Sequence, residues 1–425
     1  LFVKGTKVPL VTILLGFKAG AVTERVDTNG LTHLWEHMFF KGNAKWPTQE
    51  AFTTRVRELG IDFNGDTGAE HVRYFFTMPS ALLGEGLEFM AEAIQRPLFE
   101  PKELERERLV VLDEYERDQS QPSFDFERVN QGLIFGDLAF TRDPLGRRVN
   151  IARASREELL AMKEKLFIPP NAVLVVGGDV DEAKTMALVN KFFGAWRAPE
   201  DWKDPVRPAY PELKKTTTFV MTRELVENAQ VVITLPGPSI VDQPVDTYRA
   251  DLLVGMLSHP SGRFYKKFVD SGMTFSAGVS YLTERYHGRV VLWAECAPKD
   301  ALRVREALLA EVSEWMDPAY FTPRLREDVQ RNLVIDRQRQ VDQISSFSRG
   351  LGLSWIVTGL DYEDSYIKRM SAMKEADARA FVKAYLLGRP YVGGILLSPE
   401  GAKEAGLKDD SGVLVKTYAE VYHAR

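Results

Sequence analysis

The sequence has one cysteine in 425 residues, so no disulfide can form within the chain. That residue, Cys296, sits in the apolar run VVLWAECA and reads as a packed strand residue rather than a nucleophile. No apolar run approaches the roughly eighteen residues that a helix needs to cross a bilayer, so no membrane span is expected. The excess of one charge sign is small as well. The net charge of −5 gives no bulk electrostatic reason to bind nucleic acid or an anionic membrane. There is no GxGxxG and no GKS or GKT, so the double glycine of NAVLVVGGDV does not make a nucleotide loop. Histidine is also scarce, six in all, which makes its placement informative.

Two of the six lie in GLTHLWEHMFFKG, Gly30 to Gly42, where His33 and His37 stand one helical turn apart on one face and Glu36 lies beside them. Two neutral imidazoles from adjacent turns begin a catalytic zinc site, which takes three protein ligands and keeps one position open. A carboxylate beside them could accept a proton from water. This H-x-x-E-H order inverts the H-E-x-x-H motif of zinc proteases. The flanking Leu31, Leu34, Trp35, Met38, Phe39 and Phe40 are read as apolar walls that keep a metal dry. The bland alternative is two unrelated polar residues on a half-buried helix.

At this length two domains are expected. Val8 to Phe17 reads as a buried strand, and Pro47 to Leu59 as a helix capped by Thr48 and stopped by Gly60. Ile61 to Gly65 and Glu70 to Met78 read as a hairpin around GDTG, followed by a helix from Ser80 to Gln95. A long helix then starts at Pro101 and runs to about Asp118. On it Glu107 and Glu114 lie two turns apart on one face, and either could reach a metal, whereas Glu103, Glu105 and Glu116 read as a solvated face. Glu114 follows the run LVVLD, which should carry it against the core. Helices are also expected at Glu157 to Leu166 and Ala183 to Phe193, on either side of the strand in NAVLVVGGDV.

The proline-rich stretch between Trp196 and Lys215 separates halves of similar length that faintly repeat one another. RVRELGIDFNGDTG resembles KKFVDSGMTFSAG, and FEPKELERERLVVLDE resembles FTPRLREDVQRNLVID, with Gln338 where Glu114 stands. The expected organisation is residues 1–200 as a metal-bearing domain, 201–215 as linker and 216–425 as a similar domain without the metal site. Hairpins and helices without strict βαβ alternation imply an α+β class.

The inverted motif and FEPKELERERLVVLDEYERD together resemble the M16 family of zinc metallopeptidases, and by size its two-domain members. The resemblance implies two similar domains, each a mainly antiparallel sheet backed by helices. It implies Zn²⁺ held by His33, His37 and Glu114, which falls at the family's spacing from the motif, with Glu36 as base and Glu107 as a further acid near the site. Asn64, Gly65, Thr67, Glu70 and Tyr74 match a family stretch whose edge strand pairs with substrate; as bare residues, Asn64 and Thr67 would be read as turn formers. Gly65 stands where alanine is usual, a mild change. The activity implied is endopeptidase cleavage of unfolded or short peptides.

One family feature is missing. An Arg and a Tyr, seven residues apart in the second half, grip substrate in the family, and here FYKKFVDSGMTFS places Phe275 at the Tyr position and Phe268 or Val269 at the Arg position. Neither side chain can donate a hydrogen bond. Arg263 and Tyr281 lie nearby at the wrong spacing. The expectation is therefore a zinc-bearing subunit that works with a homologous second subunit carrying the Arg and Tyr, a homodimer being the lesser alternative. A non-catalytic scaffold subunit is the rival reading, against which stands the intact motif. The chain starts at Leu1, inside what reads as a first strand, so a removed leader is expected, with the bacterial periplasm favoured over the cytoplasm.

Overall fold

The protein is described by a computed structural model, which describes residues 1–5, 8–136, 138–203, 212–407 and 413–414. Most of the expected linker, residues 204–211, lies outside that set. The chain forms two compact units, and each takes one segment from the other half of the sequence. The first comprises Leu1–Arg117, the stretch that begins at Arg142, and Arg337–Glu363; the second takes Asp118–Thr141 along with the rest.

Among the described residues the first unit has a five-stranded sheet in the order β1-β5-β2-β4-β3, with β1 Phe2–Lys4, β2 Leu10–Phe17, β3 Asp62–Thr67, β4 Val72–Pro79 and β5 Ala172–Gly178. Only β1 and β5 pair in parallel; β2 is antiparallel to both β4 and β5. The sequence of β2, LVTILLGF, does not alternate because both of its faces are covered. Val11, Ile13, Leu15 and Phe17 point into the main core with Tyr74 and Phe76, whereas Leu14, Phe75, Val173 and Val175 face the helix Ile344–Val357 through Ile356 and Val357. Each such fully buried side chain stabilises the fold by about 1.5–3 kcal/mol. That helix comes very close to the sheet at Gly352, where a Cβ would lie 2.4 Å from a methyl of Leu14.

The main core is closed by α1 Leu31–Phe39, α2 Gln49–Glu58, α3 Leu83–Gln95, α4 Pro101–Gln119, α5 Ser123–Phe135 lying outside it in the second unit, then α6 Arg148–Arg153, α7 Arg156–Leu166 and α8 Glu182–Phe193. Thr48 caps α2 by accepting from the Ala51 amide at 3.1 Å, and Gly60 ends it with φ 61°. Ser80 does not cap α3: it opens a 3₁₀ turn, Ser80–Leu82, and its hydroxyl donates to Asp179 instead. The hairpin turn also differs from the expected GDTG. Strand pairing continues through Thr67, and the chain reverses over Gly68 to His71. This puts Gly65 and Thr67 on one face of an edge strand, because residues two apart on a strand share a side.

The second unit has, among the described residues, a six-stranded sheet in the order β11-β6-β10-β7-β9-β8. Its strands are β6 Thr217–Thr222, β7 Ala229–Gly237, β8 Ser276–Thr283, β9 Gly288–Cys296, β10 Val392–Leu397 and β11 Val413–Leu414. The β8–β9 hairpin and the helix Pro323–Asp342 repeat the β3–β4 hairpin and α4 of the first unit. In both units most pairings are antiparallel and the sheets are backed by helices, an α+β fold. Helix α5 belongs here through Phe126, whose ring packs on Phe219 with 5.0 Å between centroids, and through Asn130, which donates to Thr234. Cys296 is fully buried at the end of β9, where burial pushes its thiol up to about 11.

Candidate metal centre

Helix α1 has an apolar back and a polar front. Leu31, Leu34, Trp35, Met38 and Phe39 are buried and hold the helix to the core. Trp35 stacks on Phe167 at 4.0 Å and donates its indole N–H to the Leu159 carbonyl, and Phe39 stacks on Tyr74 at 3.9 Å. These side chains therefore anchor the helix rather than wall a metal, which corrects the sequence reading. His33, Glu36 and His37 are left on the half-buried front.

The structure brings His33, His37 and Glu114 together: one ligand atom from each lies within 4.8 Å of the others. His33 Nε2 is 3.8 Å and His37 Nε2 3.5 Å from Glu114 Oε2. An ion held tetrahedrally at about 2.0–2.1 Å separates its ligand atoms by about 3.4 Å, so the spacing and the donor set, two imidazoles and a carboxylate, fit zinc. His37 Nδ1 donates to Glu107 Oε2 at 3.0 Å, which leaves Nε2 as the atom with a free lone pair. Lys41, just past the end of α1, pairs with the other Glu107 oxygen at 2.7 Å. No other such group of three occurs among the described residues.

Glu114 reaches the centre differently from expectation. Of the LVVL run before it only Val111 is fully buried, while Leu109 is 61 % exposed and Val110 also faces solvent. Leu104, Glu107, Val111 and Tyr115 form the buried stripe of α4, which sets the rotation that carries Glu114 to its half-buried position beside the histidines.

Thr67 donates to Glu36 Oε2 at 2.6 Å, leaving Oε1 free of that bond. Gly65 lies under the same carboxylate, where a Cβ would stand 2.9 Å from Glu36 Oε1. A methyl there would make the end of the flexible Glu36 side chain give way slightly. Asn64 is exposed on the strand, its Oδ1 accepting from the Gly65 amide at 2.9 Å. Strand β3 is the outermost of its sheet.

Charges in the centre follow from burial and neighbours. Burial, helped by His37, pushes His33 down to about 4, so its imidazole is neutral at pH 7 and ready to donate a lone pair. Burial would lower His37 too, but the hydrogen bond it donates to Glu107 and the charges of Glu114 and Glu36 raise it above its usual range. Burial raises Glu36, against the pull of Thr67 and His37. Burial would also raise Glu107, yet His37 and Lys41 hold it below the usual carboxylate range.

One residue that supports the metal helix has no signal in the sequence. Helix α1 starts at Gly30 with φ 103° and has no side-chain cap of its own. Its free amides are taken by Glu24, which accepts from Gly30 N at 2.9 Å, Thr32 N at 2.7 Å, the Thr32 hydroxyl at 2.9 Å and Asn29 Nδ2 at 2.8 Å. Gly146 packs against the same turn so closely that a Cβ would lie 2.1 Å from the Gly30 Cα. Local cap patterns do not reach a partner six positions before the helix, whereas Lys41 carries a signal in its i+4 spacing from His37.

A two-unit α+β fold with two imidazoles and a glutamate gathered beside a second glutamate is an arrangement that a metallopeptidase would use. Comparison with known proteins agrees. Residues 3–134 match the insulinase family (peptidase family M16) and residues 153–333 match the peptidase M16 inactive domain. The chain belongs to peptidase family M16. It is 27 % identical over 192 residues to the mitochondrial-processing peptidase subunit beta of Dictyostelium discoideum, covering 45 % of this chain and 41 % of that one. It is 27 % identical over 190 residues to an uncharacterized zinc protease of Rickettsia felis, covering 45 % and 46 %. Bovine cytochrome b-c1 complex subunit 1 is likewise 27 % identical, over 54 % of this chain and 48 % of its own. Each match spans less than half of the relative. A solved protease from Helicobacter pylori shares the fold, with a TM-score of 0.84 and 20 % identity over 92 % of this chain and 94 % of that one. Among the described residues no helix is long and apolar enough to cross a membrane.

Proposed function

We propose that the protein is a zinc-dependent endopeptidase that cleaves unfolded or short peptides. The observation that carries this reading is the convergence of His33, His37 and Glu114 beside a carboxylate, Glu36, that is oriented by Thr67 but is not itself among the gathered donors. Bound there, zinc would supply a Lewis acid that polarises a peptide carbonyl and acidifies water. The chain's own residues do the rest. An extended peptide adds to the free edge of β3 beside Asn64 and Gly65, held mainly through its backbone, so sequence selectivity is loose. Glu36, its basicity raised by burial, accepts the proton of the attacking water at Oε1 and returns it to the leaving amine. Glu107 keeps the His37 ring turned and its Nδ1 protonated.

Replacing His33, His37 or Glu114 by alanine is expected to remove most bound zinc while leaving the far-ultraviolet circular dichroism unchanged, because neither core uses these side chains. Metal analysis of the dialysed variants checks this. The same preparations test the activity: cleavage of a quenched peptide by the wild type should vanish with a chelator and return with zinc. A triple variant that still holds one zinc tightly would refute the ligand assignment.

We also propose that the working enzyme pairs this chain with a homologous subunit. Phe268 is fully buried and Phe275 is 61 % exposed, and neither can donate to a substrate oxygen. The nearby donors are engaged: the Tyr281 hydroxyl donates to the Pro238 carbonyl at 2.7 Å, and Arg263 pairs with Asp317. Two of the relatives are named as subunits, of a processing peptidase and of a cytochrome complex. Loss of one oxyanion donor costs about 10²–10³ in kcat, so the purified chain alone should be that much slower than with its partner. Full activity from a monomer or homodimer would sink the pairing and leave the zinc assignment standing.

A further inference from the structure

A cleft of about 600 Å³ in the first unit is lined by Arg25, Arg142, Arg147 and Arg153, with Val26 and Val149 beside them. It gathers four guanidinium groups against one lining carboxylate, Asp27, in a chain whose net charge is −5. Asp27 is already used by Arg25, whose Nε donates to it at 3.0 Å. Arg153 donates to the Asp27 carbonyl at 2.9 Å. Arg142 and Arg147 make no side-chain hydrogen bond or ion pair to any described residue. Arg142 is nonetheless half-buried, and burial lowers its pKa, which Glu24 and Asp27 only partly offset. Arg142 is thus a partly desolvated cation with no ion pair among the described residues, and the exposed Arg147 shares the same lining, so an anion entering the cleft would neutralise one and pair with the other.

The cleft is also rigidly built. Asn150 is buried and donates to the carbonyls of Val26 and Asn29 at 2.9 and 3.1 Å, and the Arg147 amide donates to the Asn29 carbonyl at 3.1 Å. Asn29 in turn donates to the Asp143 carbonyl at 2.9 Å. These bonds fix the two segments that carry the arginines before any ligand arrives, which lowers the ordering cost of binding.

We propose that this cleft binds a small phosphate-bearing polyanion of the di- or triphosphate type, with Arg142 and Arg147 taking the phosphoryl oxygens and Arg25 and Arg153 at its rim. The guanidinium fork matches phosphate oxygens in pairs, which favours phosphate over a single carboxylate. The volume suits a small ligand and is too small for a protein helix. Val26 and Val149, 53 % and 57 % exposed, offer apolar contact to the organic group that carries the phosphates. Because the same segments hold Glu24 and Asn29 at the start of α1, the ligand would tighten the support of the metal helix.

Titration calorimetry of the full chain with tripolyphosphate tests this at low and at physiological salt. The expected result is saturable one-to-one binding that weakens with salt, accompanied by a rise in Tm. The double substitution Arg142→Gln with Arg147→Gln should weaken it by about 10-fold or more per guanidinium, and the lysine pair by less. Circular dichroism checks that the variants fold; should the double variant fail to fold, Arg147→Gln alone, at an exposed position, decides the matter. Absence of saturable binding to the wild type overturns the proposal, as does binding that is unchanged in the folded glutamine variant. So does a wild type that ignores tripolyphosphate but sediments with phosphatidylglycerol vesicles, since the site would then belong to a lipid surface.

Discussion

Replacing Glu36 by glutamine should leave zinc bound and stop turnover. Glutamine keeps the shape and still accepts from Thr67, but it cannot take a proton, and general base catalysis contributes roughly 10²–10⁴ in rate. The structure also removes the obvious substitute. Glu107 is the other buried carboxylate near the centre, and both of its oxygens are committed, one to His37 and one to Lys41. Zinc content by mass spectrometry and kcat on a quenched peptide give the two halves of the result. A variant within tenfold of the wild-type kcat would move the base elsewhere in the centre.

Glu24→Ala should be among the most destabilising single changes in the first unit, at about 4 kcal/mol. It strips the acceptor from two backbone amides and two side-chain donors at the buried start of α1, and Glu24 itself is nearly inaccessible. Thermal unfolding with intact wild-type controls reads the loss; a drop in Tm of under a degree would mean that water replaces the carboxylate. The group also carries a pH dependence with a definite sign. Burial raises the carboxyl, against the pull of its hydrogen bonds, to about 7. Its folded value thus lies above the unfolded value of about 4.3, so its contribution is fully present below pH ~4 and is lost as pH rises through 7. Glutamine mimics the neutral form. The Tm advantage of the wild type over Glu24→Gln should therefore grow as pH falls from 7.5 to 5, by an amount equivalent to about 3 kcal/mol or less. An advantage that shrinks over the same range would show that the helix start prefers the anion.

Much of the metal helix was legible in the sequence because its chemistry is local. His33, Glu36 and His37 lie within five residues, and the 3.6-residue period alone puts them on one face. The hairpin and Glu114 were legible in outline, but their placement depended on contacts that sequence periodicity does not carry. The turn after β3 moved from GDTG to Gly68–His71 because pairing with β4 continues to Thr67, and only that register sets both Gly65 and Thr67 against Glu36. The LVVL run looked like a core stripe, yet α4 turns Leu109 outward to satisfy Leu104, Glu107 and Val111. Glu24 was invisible because its role is set by the packing of a loop, not by its neighbours in sequence. The same holds for the helix Ile344–Val357, whose apolar residues give no sign of which sheet they will cover.

That helix has a consequence for how the protein is made. A ribosome delivers β1 to β5 first, but Leu14, Phe75, Val173 and Val175 stay uncovered until Val357 has emerged. At about 5–20 residues per second this is a wait of roughly ten to forty seconds. Helix α5 has the mirror problem, since the strand β10 against which Phe126 packs lies far later in the sequence. Neither unit can therefore be completed while the chain is still short, and the nascent protein offers an apolar sheet face to chaperones for much of its synthesis.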